Sequence, residues 1–198
     1  MTIMKKMSFQ LQKMQDLGFL GKGGTALDLG CGEGNDTLAL AELGYSVDAV
    51  DVKTEALAAK LHENSGGWNI TLYEQSVADF PFGSNRYDII IASNVLSFLE
   101  NKEYSIKIIH RMADSMAVGG YMYFTLFGPK DEWVKNSKMS FFTYEEANNL
   151  IDLLRLHCVY RSTEEGLGKM MNGNIKYWHI HRFLLEKQVS QAKSFCSS

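Results

Sequence analysis

The run Asp28-Leu29-Gly30-Cys31-Gly32-Glu33-Gly34, followed about twenty positions later by Asp51, is the part of the sequence best suited to chemistry. Alternate glycines let a backbone turn sharply and approach a ligand with no side chain between them. Taken alone, such a run also serves any tight strand-to-helix turn. An acidic residue at the end of the next strand changes the reading, because a carboxylate there can accept both hydroxyls of a ribose. Capping of the following helix is the plain structural alternative for Asp51. A dinucleotide fingerprint G-x-G-x-x-G would need glycine where Asn35 stands, and no lysine follows the loop to grip a phosphate. Asp28 and Glu33 would repel a pyrophosphate but suit a ligand carrying an ammonium and a sulfonium. The run points to a nucleoside with a cationic tail.

Such a loop must be held between a strand and a helix, and the surrounding pattern supplies both. Thr25–Leu29 reads as a short buried strand; Asn35 or Asp36 caps a helix running to Leu43, with Gly44 as its stop. Strands are expected at Tyr45–Val50, Asn69–Glu74, Tyr87–Ala92 and Tyr121–Phe127, with helices at Thr54–His62 and Lys102–Ala117 between them. Thr143-Tyr144-Glu145-Glu146 is a capping box that opens a further helix. Two last strands, Arg155–Thr163 and Ile175–Glu186, flank Asn172-Gly173, a favoured hairpin turn. Ahead of the first strand, Ile3, Met7, Leu11 and Met14 fall at helical spacing, stopped by Gly18. Alternating strands and helices make a mostly parallel sheet with helices on both faces, closed by one antiparallel strand. Ligands of such sheets lie beyond the carboxyl ends of the strands, where the strand order reverses.

Other residues offer chemistry with less support. Tyr177, His179 and His181 alternate along the last strand and share a face, so His179 is a candidate base against the commoner role of a packed histidine. Trp178 is expected under a helix, and Arg161 is a candidate partner for an anionic substrate or a solvated arginine. Cys31 lies in the loop, where its small size is reason enough for it. The connection from Phe127 to Phe142 is long, so Trp133 and Phe141 either close over a substrate or pin the loop to the body. If it is a lid, the N-terminal helix around Met7 and Leu11 is its expected partner.

Composition excludes several classes of protein. The chain has 198 residues, 45% hydrophobic and 22% charged, which suits one globular domain rather than a disordered chain. A net charge of −3 provides no global field for nucleic acid or an anionic membrane. Cys31, Cys158 and Cys196 are too few and too far apart for a disulfide framework or a CxxC metal site. The opening segment lacks a signal peptide's apolar core, and no run is long enough to span a bilayer, so a cytoplasmic protein is expected.

The segments LDLGCGEG and VDAVD resemble the first two motifs of the Rossmann-like (class I), S-adenosyl-L-methionine-dependent methyltransferases, and the likeness spans residues 20–187. It implies a doubly wound α/β fold with a seven-stranded sheet in the order 3-2-1-4-5-7-6, strand 7 alone antiparallel. It also implies one methyltransferase domain over residues 1–198, with a cofactor-covering helix within 1–18 and a frayed tail over 188–198. Carried over by position, Asp28, Gly30, Cys31, Gly32 and Gly34 form the loop around the methionine part of the cofactor. Asp51 binds the ribose diol and Val52 packs on adenine. Ser76 stands where the family often has an aspartate for the adenine amino group, which leaves the backbone of Val77 to serve the ring. Ser93 and Asn94 line the methionine end and the substrate entrance. The stretches MSFFTYEEANNLI and KYWHI are most similar to small bacterial methyltransferases of the tellurite-resistance type.

The expected activity is methyl transfer from S-adenosyl-L-methionine to a small-molecule nucleophile, by a monomer or homodimer without nucleic-acid, membrane or metal partners. After the fourth strand the chain reads Ser93-Asn94-Val95-Leu96, without the two prolines typical of the family's nucleic-acid amino methylases. An NAD(P)-dependent oxidoreductase and a non-catalytic S-adenosyl-L-methionine-binding module are the alternatives. No residue is assigned as catalytic.

Overall fold

Short apolar runs closed by glycine or polar turns become strands, and the segments between them with apolar residues three or four apart become helices. The computed structural model describes residues 7–21, 23–63, 67–170 and 172–188. In chain order these hold α1 (Phe9–Asp16), β1 (Gly24–Leu29), α2 (Asn35–Glu42), β2 (Tyr45–Asp51), α3 (Glu55–Glu63), β3 (Ile70–Glu74) and β4 (Tyr87–Ala92). They continue with α4 (Lys102–Ser115), β5 (Met116–Phe127), α5 (Tyr144–Leu154), β6 (His157–Lys169) and β7 (Ile175–Glu186). The strands form one sheet in the order β3-β2-β1-β4-β5-β7-β6. Only β7 runs antiparallel to its neighbours. This is the expected Rossmann-like, doubly wound arrangement.

Strand alternation divides the core between two faces. Leu27, Leu29, Ile90, Ala92 and Phe124 turn toward α4 and α5, where Ile109, Met112, Leu150 and Ile151 meet them. Ala26, Ile89, Ile91 and Tyr123 turn the other way, toward α1 and α2. Asp28 alternates with Leu27 and Leu29 and so joins the second face, buried against α2. The capping box at Thr143 and Glu146 is present as expected.

Four details depart from the sequence reading. α1 begins at Phe9 behind an Ser8 cap, so Met7 precedes the helix, and residues 1–6 lie outside the described residues. Likewise 189–198, most of the expected tail, lie outside them. The N-cap of α2 is Gly34 with φ 76°, not Asn35 or Asp36; a left-handed glycine ends the loop one residue earlier, leaving Asp36 free to bond elsewhere. The helix α4 stops at Ser115, because Met116 takes an extended ψ of 135° and pairs with Tyr87. Finally, β6 continues to Lys169 and pairs with β7 down to Ile175, whereas β7 pairs with β5 only from Ile180 onward. A two-stranded arm therefore projects past the carboxyl end of β5.

Candidate functional site

The loop after β1 is tied to β2 by two hydrogen bonds, Gly30 and Cys31 N–H donating to the Val50 carbonyl at 2.8 and 3.1 Å. Gly30, Gly32 and Gly34 all take positive φ, 73°, 50° and 76°. Their surroundings differ. A Cβ on Gly30 would lie 2.6 Å from Val95 Cβ, and one on Gly34 would lie 2.3 Å from Leu57 Cδ1. Those two glycines let β4's exit and α3 press against the loop. A Cβ on Gly32 would meet nothing within 4 Å, so the middle of the loop faces open space.

The strand order places the other expected site residues along the same edge. Asp51 closes β2, with Oδ2 accepting from Gly32 N–H at 2.9 Å and Oδ1 from Lys53 N–H at 3.1 Å. Each carboxylate oxygen keeps further acceptor capacity. Beside it Val52 is 65% exposed, an apolar side chain left in solvent at the mouth of the site. Gln75 N–H, following β3, donates to the Asp51 carbonyl at 2.9 Å and brings Ser76 and the buried Val77 alongside. The Ser76 hydroxyl accepts from Ala78 N–H at 3.2 Å, so it caps its own turn. Ser93 and Asn94 leave β4 next to Val95, the residue against Gly30.

Two largely buried carboxyls lie under the loop. Asp28 is buried and accepts from the Thr37 hydroxyl at 2.6 Å; burial, reinforced by the Asp36 charge, pushes its carboxyl up to about 7. Burial also raises the Asp36 carboxyl above its usual range, although Gln10 on α1 donates its amide N–H to Oδ2. Cys31 is pushed up to about 12, by burial first and then by the Asp28 and Asp51 charges, so its thiol stays protonated and is no nucleophile. The Gln10–Asp36 contact lay beyond sequence reasoning, which had only the helical spacing of α1 and could not see where its polar face lands.

The candidates on β7 take structural places. His179 Nδ1 accepts from Lys130 N–H at 3.0 Å, and its ring lies so close to Gly128 that a Cβ there would come within 2.4 Å. His181 bonds to the Thr163 hydroxyl at 2.8 Å and the Phe142 carbonyl at 2.9 Å. Burial lowers both imidazoles below their ordinary range, which keeps them neutral. Trp178 packs edgewise on Trp133, in the short 3-10 helix Glu132–Lys135, and on Phe127, and lies over Gly168. Arg161 donates to Asn148 at 2.9 Å, away from the loop.

The long connection is pinned rather than poised. Asp131 pairs with the fully buried Lys176 and accepts from His179 N–H at 3.1 Å. The Lys176 ammonium lies 3.7 Å from the Trp133 ring centre and 4.0 Å from that of Trp178. Neither Asp131 nor Lys176 carried a spacing signal in the sequence. The expected partnership with α1 is absent among the described residues: Leu11 and Met14 are buried against Ala26, Leu40 and Ile91 instead.

Comparison with known proteins agrees with this geometry. Residues 26–120 match the family model described as a methyltransferase domain. That match covers just under half of the chain. The chain is 36% identical over 99 residues to a probable S-adenosyl-L-methionine-dependent methyltransferase TehB of Haemophilus influenzae, covering 48% of this chain and 33% of the relative. It is 31% identical over 103 residues to a ribosomal protein L11 methyltransferase of Campylobacter concisus, covering 50% of this chain and 34% of that one. The matches thus span about a third of these relatives' lengths. Among solved structures, Haemophilus influenzae TehB superposes on 89% of this chain and 62% of its own with a TM-score of 0.69 at 24% identity. That likeness of fold covers most of the chain.

Among the described residues, no helix is long and apolar enough to cross a membrane. Among the described residues, no group of three or more His, Cys, Asp or Glu is placed to hold a metal ion.

Proposed function

We propose that the chain transfers a methyl group from S-adenosyl-L-methionine to a small-molecule nucleophile. The observation that carries this reading is the Asp51 carboxylate at the end of β2, held by Gly32 N–H at 2.9 Å beside the open glycine loop. A pyrophosphate would be repelled by that carboxylate, whereas a ribose diol is bound by it and an ammonium or sulfonium is drawn to it. The residues fit the cofactor in two further respects. The loop is open in front of Gly32, and Val52 offers an apolar side chain next to Asp51.

Bound there, S-adenosyl-L-methionine supplies an electrophilic methyl on sulfur. The chain's contribution is placement. Asp51 would accept the two ribose hydroxyls, Val52 would pack on adenine with the Val77 backbone serving the ring, and Asp28 with the glycine loop would hold the methionine end. Ser93 and Asn94 would border the reacting end. Orientation of this kind lowers a displacement barrier by several kcal/mol without a catalytic group. His181 has both ring nitrogens engaged, by the Thr163 hydroxyl and the Phe142 carbonyl, and His179 has Nδ1, its acceptor, taken by Lys130 N–H, so neither is placed as a free base. Acceptors that are already deprotonated therefore suit the site best.

The test is product formation: purified protein with S-adenosyl-L-methionine and a metabolite panel, with S-adenosylhomocysteine measured by mass spectrometry. Turnover with a small molecule is expected. Turnover confined to protein or nucleic-acid acceptors contradicts the small-molecule reading, and none with any acceptor favours a binding module.

A further inference from the structure

Asn94 is held in an unusual way. It takes φ 56° at the end of β4, a left-handed conformation that asparagine tolerates better than most residues. Thr125 on β5, 1% exposed, fixes it twice: its hydroxyl accepts Asn94 N–H at 2.7 Å and donates to Asn94 Oδ1 at 3.2 Å. A threonine hydroxyl has one proton, and here that proton goes to Oδ1, so the carboxamide orientation is set. The Asn94 NH2 has no hydrogen-bond partner among the described residues. Asn94 lines a cleft of about 370 Å³ between β4 and the projecting β6–β7 arm, with Trp178, Ile180, Arg182, Glu164 and Lys169. Asn94 is the link to the glycine loop, since Val95, next to it in sequence, is the residue pressed against Gly30.

Four charged residues line the cleft, Glu164 and Glu165 against Lys169 and Arg182. Glu164 lies 3.1 Å from Arg182 Nε, and Glu165 is paired at 2.9 Å with Lys130, which lies outside the lining. That pairing leaves Lys169 as the lining cation without an ion-pair partner among the described residues. Trp178 and Ile180 add an apolar wall, and Asn94 adds oriented donors. Donors, an unpaired cation and an apolar wall in one small cleft match a ligand with an apolar body and an anionic oxygen.

We infer that this cleft is the acceptor site and takes a small organic anion, with Asn94 as the donor that contacts it and Thr125 as the residue that positions Asn94. The inference rests on the methyltransferase reading, and the test separates the two. Calorimetry with S-adenosylhomocysteine comes first, since its failure to bind overturns the reading itself. 4-Hydroxybenzoate and 4-hydroxybenzylamine, the same ring with opposite charge, then probe the cleft of the S-adenosylhomocysteine complex.

The anion is expected to bind saturably and shift the Trp178 indole N–H resonance, and the amine to do neither. Lys169→Glu, on the exposed arm, is expected to weaken the anion about ten-fold while leaving S-adenosylhomocysteine affinity unchanged. Asn94→Gly keeps the left-handed backbone and removes the carboxamide, and is expected to weaken the anion by about five- to ten-fold. Thr125→Val should reproduce that loss and Thr125→Ser should restore binding, which a packing role for Thr125 would not give. Equal binding of amine and acid, tight binding of inorganic phosphate alone, or an anion affinity unmoved by Asn94→Gly overturns the inference.

Discussion

Asp28 shows how a single buried carboxyl can be both required and costly. It lies under the loop with the Thr37 hydroxyl as its partner, and burial holds its carboxyl up at about 7. The folded state then keeps a proton that the unfolded chain releases near its ordinary value of about 4, so this group makes stability fall as pH rises between those values. His179 and His181 act in the opposite sense, because their lowered values make stability rise with pH as the unfolded chain loses its protons. The difference between wild type and Asp28→Asn isolates the carboxyl. Urea unfolding of the free protein at pH 5 and pH 8 should show the variant gaining on wild type at the higher pH, on the order of 2 kcal/mol. A difference that does not change with pH would mean that Asp28 is ionised at both.

At the scale of elements, the glycine loop is a junction where β1, α3 and the exit of β4 converge. Gly34→Ala combines a left-handed φ with a Cβ 2.3 Å from Leu57, whereas Gly32→Ala meets the φ cost alone. Gly32→Ala is expected to cost about 1–2 kcal/mol and Gly34→Ala at least a further ~1–3 kcal/mol, read by urea unfolding. Equal costs would mean that α3 moves aside freely. The sequence made this junction legible: alternate glycines, Asp28 and Asp51 fall where strand and helix periodicity put a ligand loop. Periodicity supplied the strands, and their order was what the resemblance implied. What it hid depends on contacts between distant elements. Thr125 reads as an ordinary strand residue until Asn94 is seen folded onto it. Asp131 and Lys176 are separated by 45 residues and form a buried pair with aromatic walls. Lys176→Met would strand the Asp131 charge and is expected to cost about 3–5 kcal/mol in the same assay. A negligible cost would show that the connection is not held there.

For the whole molecule, α1 is part of the core and not a detachable cover. Leu11 and Met14 are fully buried between the sheet and α2, and Gln10 bonds to Asp36 at the head of that helix. Leu11→Ala is expected to cost about 2–5 kcal/mol by urea unfolding, and a value near zero would return α1 to the role of a loose lid. The resulting body brings Asp51, the open glycine loop and the cleft beside Asn94 to the carboxyl edge of the sheet. That placement leads to the central claim, that the edge binds an adenosyl cofactor and not a dinucleotide. Isothermal calorimetry with S-adenosylhomocysteine and with NAD tests it most directly. Micromolar binding of S-adenosylhomocysteine is predicted, weakened at least roughly ten-fold by Asp51→Ala with little change in melting temperature, and no heat with NAD. Heat with NAD and none with S-adenosylhomocysteine would contradict the account.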